Sequence, residues 1–339
     1  VAFTSHVLSQ TDSLFYTPYD KWADLLVNYS LRLQPGQTLL IESTPLSQGL
    51  CLSVYEEALK AGAHPYIAIG LPGMNEIFFK KATDTQLNYV SPVYKFLYET
   101  FDANLYIHSP ANTRSLSSVD PMRIKIANKA FMEKAKKYLY NRIENQQIKW
   151  CYTSFPTQAL AQEADMGFDE YKKFVFESCK LNEPDPIKSW KILSQRQQAL
   201  CEWLNGKSDV ILRGPNIELK MSIENRKFIN EDGKENFPAG EIYTSPVENS
   251  TNGWVRFAYP AIFKNQEVID IELWIENGKV IKEKASKGQA FLTEILNSDK
   301  GARKIGELGI GTNYGIKRFT KNRLFDQRIS DTIHIEIGA

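Results

Sequence analysis

Two glutamates in this chain stand beside glycine, in settings where a carboxylate could do chemistry. Glu241 follows Gly240, and Glu307 follows Gly306. A carboxylate next to glycine at a turn can point into a cleft with the backbone close by. Divalent metals bind such oxygens, often together with imidazole nitrogen. Glutamates flanked by glycine are common, so this pattern alone marks the pair only as candidate metal ligands.

The chain also has four histidines. We interpret His6, in the N-terminal tail, and His64 and His108, at the ends of predicted strands, as structural or exposed. His334 differs, because residues 332–337 alternate polar and apolar side chains as a strand does. His334 would then point to the face opposite three isoleucines. An imidazole in such a strand is a solvated surface group at least as often as a ligand.

The short motifs of several enzyme classes are missing from the sequence. It contains no GxSxG elbow, no GxxxxGK[ST] phosphate loop and no HExxH helix. The glycine-rich stretch 301–315 does not have GxGxxG spacing, and we predict a tight connecting loop there that brings the backbone close to another group. The four cysteines show no CxxC spacing, which predicts buried thiols rather than a zinc ribbon or a disulfide framework.

Composition and charge exclude some classes of partner. A chain of 339 residues exceeds the size at which one hydrophobic core keeps growing, so we expect two domains. The formal net charge is +1, from 41 basic and 40 acidic residues, which argues against a nucleic-acid partner. No apolar stretch approaches 18 residues and the N-terminus has no signal-peptide pattern. We therefore expect a cytoplasmic protein without a membrane span.

Helix and strand patterns alternate through the first third of the chain. Short apolar runs at 38–41, 66–69 and 103–107 are separated by segments with helical periodicity. This order is typical of a parallel sheet with helices packed on it. We predict an N-terminal α/β domain over residues 1–115.

The rest of the chain, residues 116–339, is predicted to be a larger α+β domain. Its first half has helical periodicity, and the sequence after residue 208 alternates apolar and polar residues as half-exposed antiparallel strands do. The Asn277-Gly278 pair predicts a two-residue hairpin. The predicted helices are 121–145, 157–163, 169–181, 186–204 and 288–296, and the predicted strands are 148–152, 210–212, 218–223, 241–244, 253–257 and 268–275.

Several segments of the chain resemble those of one peptidase family. Residues 236–246 resemble the N-x-P-x-G-E-[IV]-[FY]-T-x-P segment of the aminopeptidase T / aminopeptidase S family, and 301–313 resemble its G-A-R-x-[IL]-G-E-x-x-[IL]-G-T-N segment. Residues 156–166 are similar to its P-T-x-A-x-A-Q-E-A-x-M run. Residues 324–327 and 332–335 resemble its L-F-D-E and T-I-H-[IL] segments. The resemblance covers nearly the whole chain, in order.

The resemblance implies a peptidase that removes N-terminal residues from peptides with two divalent metal ions, zinc, cobalt or similar. It also implies that Glu241, Glu307 and His334 are metal ligands on the antiparallel strands of the second domain. Whether Glu307 only binds metal or also moves a proton is left open by the resemblance. The family further implies a homodimer with an enclosed groove that receives peptide substrates.

The sequence departs from the family pattern at its end. Family members continue beyond the T-I-H segment to a tyrosine and an H-x-D pair that completes the metal site, whereas this sequence ends at Ala339. We expect that either the sequence or the metal site is incomplete, and in the second case the ions would be absent from this chain. Asp331 also stands where the family usually has glycine.

Two other function classes stay open at this point. One is a metal-free or inactive peptide-binding protein that retains the aminopeptidase scaffold, which the missing ligands would favour. The other is a nucleotide-binding α/β protein built on the first third of the chain, although that segment has no phosphate loop.

Overall fold

The computed structural model describes residues 17–263 and 266–338. His6 and Ala339 lie outside the described residues. Within these ranges, every helix is too short or too polar to cross a bilayer. The four cysteines are buried and carry free thiols, as predicted.

The helices begin where the sequence supplies capping groups. The hydroxyl of Thr17 accepts a hydrogen bond from the Asp20 main-chain N–H and the Asp20 carboxylate accepts one from Thr17, which starts the first helix. π-Helical turns follow the first helix (Leu25–Ser30) and the sixth (Lys136–Tyr140). The helices are α1 (Pro18–Asp24), α2 (Gln48–Lys60), α3 (Met74–Lys81), α4 (Asp84–Leu87), α5 (Pro92–Thr100), α6 (Pro121–Ala135), α7 (Asn141–Glu144), α8 (Gln158–Glu163), α9 (Phe168–Ser178), α10 (Pro186–Leu204), α11 (Gln289–Leu296) and α12 (Arg323–Asp326).

Among the described residues, the strands form one parallel sheet and three antiparallel sheets. They are β1 (Thr38–Ser43), β2 (His64–Ile69), β3 (Ala103–His108), β4 (Lys149–Ser154), β5 (Asp209–Gly214), β6 (Ile217–Ser222), β7 (Ile229–Glu231), β8 (Asn236–Phe237), β9 (Glu241–Thr244), β10 (Asn252–Arg256), β11 (Ala261–Phe263), β12 (Gln266–Val268), β13 (Glu272–Glu276), β14 (Lys279–Lys284), β15 (Ile305–Gly311) and β16 (Ile333–Ile337).

The parallel sheet has the strand order β2-β1-β3-β4-β8. One of its faces is covered by α1, α2, α9 and α10, which together with the sheet form the largest hydrophobic core. Trp22 and Trp190 from the helices and Phe237 from β8 are fully buried there. The predicted parallel sheet with packed helices is confirmed.

The antiparallel sheets have the orders β14-β13-β10-β6-β5, β16-β15-β9-β7 and β11-β12. A second core lies between the first two of them and includes Leu273, Ile275 and Leu308. The hairpin between β13 and β14 turns at Asn277 and Gly278, which have φ values of 48° and 73°. Both residues therefore adopt the left-handed conformation that a type I′ turn needs, and the predicted hairpin is confirmed.

Two predicted elements were wrong. The stretch 301–315 was predicted to be a connecting loop, but β15 runs through it and lies between β16 and β9. Its glycines give the strand little apolar alternation, so the usual sequence signal is missing. The predicted strand 268–275 is split into β12 and β13, because Asp270 adopts a φ of 54° that ends regular extension.

The α/β plus α+β fold class agrees with these sheets. The parallel sheet also takes in β4 and β8, both of which come after residue 115 in the chain. The boundary between the predicted domains 1–115 and 116–339 stays a prediction.

Candidate active site

Glu241 begins β9 in the middle of the four-stranded antiparallel sheet. The preceding Gly240 has a φ of 112°, and a Cβ atom there would lie 2.6 Å from the Cβ of Asn313. Only glycine fits both the conformation and the close approach, so this residue fixes the direction in which the strand starts. The Glu241 side chain is buried, and its main-chain carbonyl accepts a hydrogen bond of 2.6 Å from the amide of Gln197.

Glu307 and His334 come from the neighbouring strands β15 and β16. In the antiparallel register, His334 is opposite Gly309, two residues after Glu307 on the same face of the sheet. A Cβ atom on Gly309 would lie 2.0 Å from the imidazole, so the absence of a side chain there makes room for the ring. The ring reaches across β15 towards β9 for this reason.

The structure brings the three predicted site residues together. The Nε2 atom of His334 lies 3.2 Å from Glu307 Oε1 and 3.2 Å from Glu241 Oε2. Glu241 Oε2 has no hydrogen-bond partner among the described residues, although it is buried. Three strands of one sheet therefore direct two carboxylates and an imidazole to a common point, and their role as metal ligands stays a prediction.

A buried arginine holds the other oxygen of Glu241. The Nη2 atom of Arg328 lies 2.7 Å from Glu241 Oε1, and both side chains are almost fully buried. Glu231, on the neighbouring strand β7, is opposite Glu241. Burial raises the pKa of Glu241 and raises that of Glu231 to about 7, and the positive charge of Arg328 opposes both rises. The guanidinium thus compensates carboxylates that burial would otherwise keep neutral.

A cavity of about 390 Å³ opens beside these groups. Its acidic residues outnumber its basic ones, which favours cationic ligands. The charged lining residues are Glu231, Glu241, Glu307, Glu336, Arg323 and Arg328. Tyr152 and Asn236, from β4 and β8 of the parallel sheet, also line it, so the cavity lies where two sheets meet.

Tyr243 adds a hydroxyl to the same cavity, two residues after Glu241. Burial and the surrounding glutamates raise its pKa well above the usual value. The phenol therefore stays protonated at neutral pH and can donate a hydrogen bond into the cavity.

Comparison with known proteins decides the family. A sequence model of thermophilic metalloproteases (M29) matches residues 16–339. The chain belongs to the M29 family of metalloproteases. It is similar to aminopeptidase 2 of Geobacillus stearothermophilus, with 26% identity over 348 residues that cover 94% of this chain and 83% of that protein.

A more distant relative and a solved structure also match the chain. Aminopeptidase T of Thermus aquaticus is 22% identical over 315 residues, covering 86% of this M29 chain and 76% of that protein. The solved structure of wild-type AmpT from Thermus thermophilus matches with a TM-score of 0.83 and 20% identity, over 95% of this chain and 85% of that one. The family resemblance seen in the sequence motifs is confirmed.

The site of this M29 protein has the donor chemistry that a divalent ion needs. His334 Nε2 and the carboxylate oxygens 3.2 Å from it, on Glu241 and Glu307, are the nitrogen and oxygen donors that zinc and similar ions bind. Glu241 Oε2, which is buried and has no hydrogen-bond partner among the described residues, is one such donor. As they stand, no three His, Cys, Asp or Glu side chains within residues 17–263 and 266–338 are arranged to hold a metal ion. By donor type, Glu241, Glu307 and His334 nevertheless fit a divalent ion as part of its ligand set.

Two of the remaining histidines lie on the parallel sheet. His64 is exposed at the start of β2. His108, at the end of β3, stacks on Tyr152 and lies tilted beside Tyr106. Neither belongs to the cluster around Glu241, in agreement with their interpretation from sequence.

Sequence reasoning did not find Arg328, Glu231 or Tyr243. Arg328 lies between the L-F-D-E-like and T-I-H-like segments, but nothing in its local sequence indicates burial. Glu231 is on a three-residue strand that was not predicted. Tyr243 is in a segment matched to the family, and the alternation of β9 could have placed it on the same face as Glu241.

Proposed function

We propose that this M29 protein is a metal-dependent aminopeptidase that removes N-terminal residues from peptides. The observation that carries the proposal is the convergence of Glu241, Glu307 and His334, with both glutamates in the wall of an acidic cavity. Family membership supports a metalloprotease, and the names of the relatives support an exopeptidase acting at the amino end.

We propose Glu241, Glu307 and His334 as ligands of divalent ions, two in number and zinc, cobalt or similar in type. A divalent ion supplies Lewis acidity, which lowers the pKa of water and polarises a carbonyl group. Two carboxylates provide negative charge to hold such ions, and the imidazole provides a borderline donor. Arg328 fixes the orientation of the Glu241 carboxylate, so that Oε2 faces His334.

The cavity would select a free amino terminus by charge. A peptide ammonium is attracted by the carboxylates of the lining, of which Glu336 is already paired with Arg323. Tyr243 can donate its hydroxyl proton in a hydrogen bond to an oxygen that becomes more negative during hydrolysis. Peptides with a blocked amino group would lose the first of these interactions.

We also propose that the protein acts as a homodimer in the cytoplasm. The family resemblance supports the dimer, and the composition supports the compartment. Sedimentation velocity would measure the mass in solution, and a monomer at micromolar concentration would contradict the dimer.

The proposed function is tested by metal content and hydrolysis together. The purified chain, loaded with zinc or cobalt and freed of excess ion, should retain metal in elemental analysis and hydrolyse Leu-Gly. Glu241→Gln and Glu307→Gln should each lose metal and activity, because an amide is a much weaker ligand than a carboxylate. Glu224→Gln, at an exposed turn outside the cavity, is the matched control.

Full metal retention and activity in both site variants would remove these residues from the site. Hydrolysis of acetyl-Leu-Gly at the rate of Leu-Gly would contradict the selection of a free amino terminus.

A further inference from the structure

A row of aromatic side chains runs along the parallel sheet away from the acidic cavity. In the register of β3, β4 and β8, Tyr106 is beside Tyr152, and Tyr152 is beside Asn236. Partners in a parallel register point to the same face of a sheet. The residues that alternate with them, such as Leu105 and Phe237, point into the main core. The row therefore lies on the face opposite that core.

The rings of this row are close enough to form one surface. The centroids of Tyr106 and Tyr152 are 5.7 Å apart with nearly parallel planes, and His108 stacks at 6.0 Å from Tyr152. Burial lowers the pKa of His108, so its ring is uncharged at neutral pH. Tyr106 keeps 42% of its surface exposed. Tyr106 thus presents a flat, uncharged ring to an incoming ligand, and the partly buried rings of Tyr152 and His108 extend the same surface.

One end of the aromatic row is part of the cavity. Tyr152 and Asn236 line it together with Glu241, whereas Tyr106 and His108 lie beyond it. A ligand held by its amino group at the acidic end would therefore meet Tyr152 first and Tyr106 next. Because the row continues from the cavity, the ligand that it fits is the rest of a peptide whose amino end lies in the cavity.

We propose that Tyr152, Tyr106 and His108 form the subsite for peptide residues on the carboxyl side of the cleaved bond, with a preference for aromatic side chains. The inference rests on the proposed function. An aminopeptidase has only one residue on the amino side of that bond, so a surface that extends past the cavity serves the residues that follow. Side chains on one face of an extended peptide repeat at about 6.6–6.8 Å, comparable to the 5.7 Å between the two tyrosine rings.

The test compares two peptides that differ only in alternate positions, Leu-Gly-Gly-Gly and Leu-Phe-Gly-Phe. Binding is measured by calorimetry in the presence of a chelator, so that neither peptide is cleaved. We expect the aromatic peptide to bind about tenfold more tightly, because ring contacts add to the area that it buries. Tyr106→Ala and His108→Ala should each reduce this ratio to threefold or less, and Tyr106→Phe should preserve it.

Tyr55→Ala is the matched control. Tyr55 is similarly exposed, at 37%, but it is on α2, which covers the other face of the sheet. It should leave the ratio unchanged. Melting temperatures of all variants would show that they are folded.

The outcomes separate this inference from the proposed function. Equal binding of the two peptides, together with hydrolysis of Leu-Gly, would overturn the subsite and leave the aminopeptidase intact. An aromatic preference that depends on Tyr106, without any hydrolysis, would support the subsite and count against the enzyme. An unchanged ratio in Tyr106→Ala with a change in oligomeric mass would assign the row to a subunit contact instead.

Discussion

Replacing Arg328 with methionine would leave buried carboxylates without their compensating charge. The guanidinium lies 2.7 Å from Glu241 Oε1, and the side chains of both residues are about 5% exposed or less. It also donates a hydrogen bond of 2.9 Å to the Leu324 carbonyl. Breaking a buried ion pair from one side costs about 3–5 kcal/mol, because the remaining charge stays buried. We expect Arg328→Met to lower the free energy of unfolding by about this amount at pH 8.

The cost should depend on pH in a defined direction. Burial already raises the pKa of Glu241 and Glu231, and removing the guanidinium would raise both further. A carboxyl group whose pKa is higher in the folded protein contributes stability that is fully present below its unfolded pKa and is lost as pH rises through the folded pKa. Glu231, whose pKa is already raised to about 7, should thus be mostly neutral at pH 5 in the variant, and Glu241 should carry less charge there than at pH 8. We expect the loss at pH 5 to be less than half of that at pH 8.

The measurement is urea denaturation followed by tryptophan fluorescence, for the chain without added metal. Arg318→Met is the control, since Arg318 forms an exposed pair with Glu170 and should cost about 0.2–1 kcal/mol. In a Glu241→Gln background, Arg328→Met should cost less than in the native chain. A loss that is the same at both pH values and in both backgrounds would refute the reasoning.

Two further predictions concern the residues around this pair. Gly309→Ala should displace the His334 ring, lower the free energy of unfolding by about 1–3 kcal/mol and weaken zinc binding, because the new Cβ would lie 2.0 Å from the imidazole. Zinc binding is measured by calorimetric titration and stability by thermal unfolding, with Gly167→Ala, whose new Cβ meets no atom within 4 Å, as the control. Equal behaviour of the two variants would contradict the role of Gly309. Burial raises the pKa of Asp326 to about 7. Its contribution to the free energy of unfolding is therefore fully present below about pH 4 and is lost as pH rises to 7, by up to about 4 kcal/mol. Asp326→Asn should thus flatten the decline in stability, measured by urea denaturation, between pH 4 and 8. An unchanged slope would argue against a raised pKa.

Much of the architecture could be predicted because it depends on local patterns. The apolar runs of β1, β2 and β3 and the helical periodicity between them indicate a parallel sheet. Asn277-Gly278 predicts its hairpin because both residues readily adopt positive φ. The alternation around His334 correctly placed that residue on the face opposite Ile335, which packs on the second core.

The parts that could not be predicted depend on contacts between distant segments. β15 carries three glycines, and its place in the sheet follows from what fits against it, such as the His334 ring above Gly309. The local sequence around Arg328 does not distinguish it from a surface arginine, and its burial beside Glu241 follows only from the fold. Sequence motifs identified Glu241, Glu307 and His334 through the family resemblance, whereas their separations of 3.2 Å are a property of the folded sheet.

Only residues 238–240 separate β8 of the parallel sheet from β9 of the antiparallel one. Because this connection is only three residues long, a displacement of either sheet would also displace Glu241. Local opening of this region should be shared, with amide hydrogens of β8 and β9 exchanging at similar rates. A ligand bound between the sheets would then slow amide hydrogen exchange in both strands at once. Exchange in β8 and β9 would therefore report whether the cavity between the sheets holds a ligand.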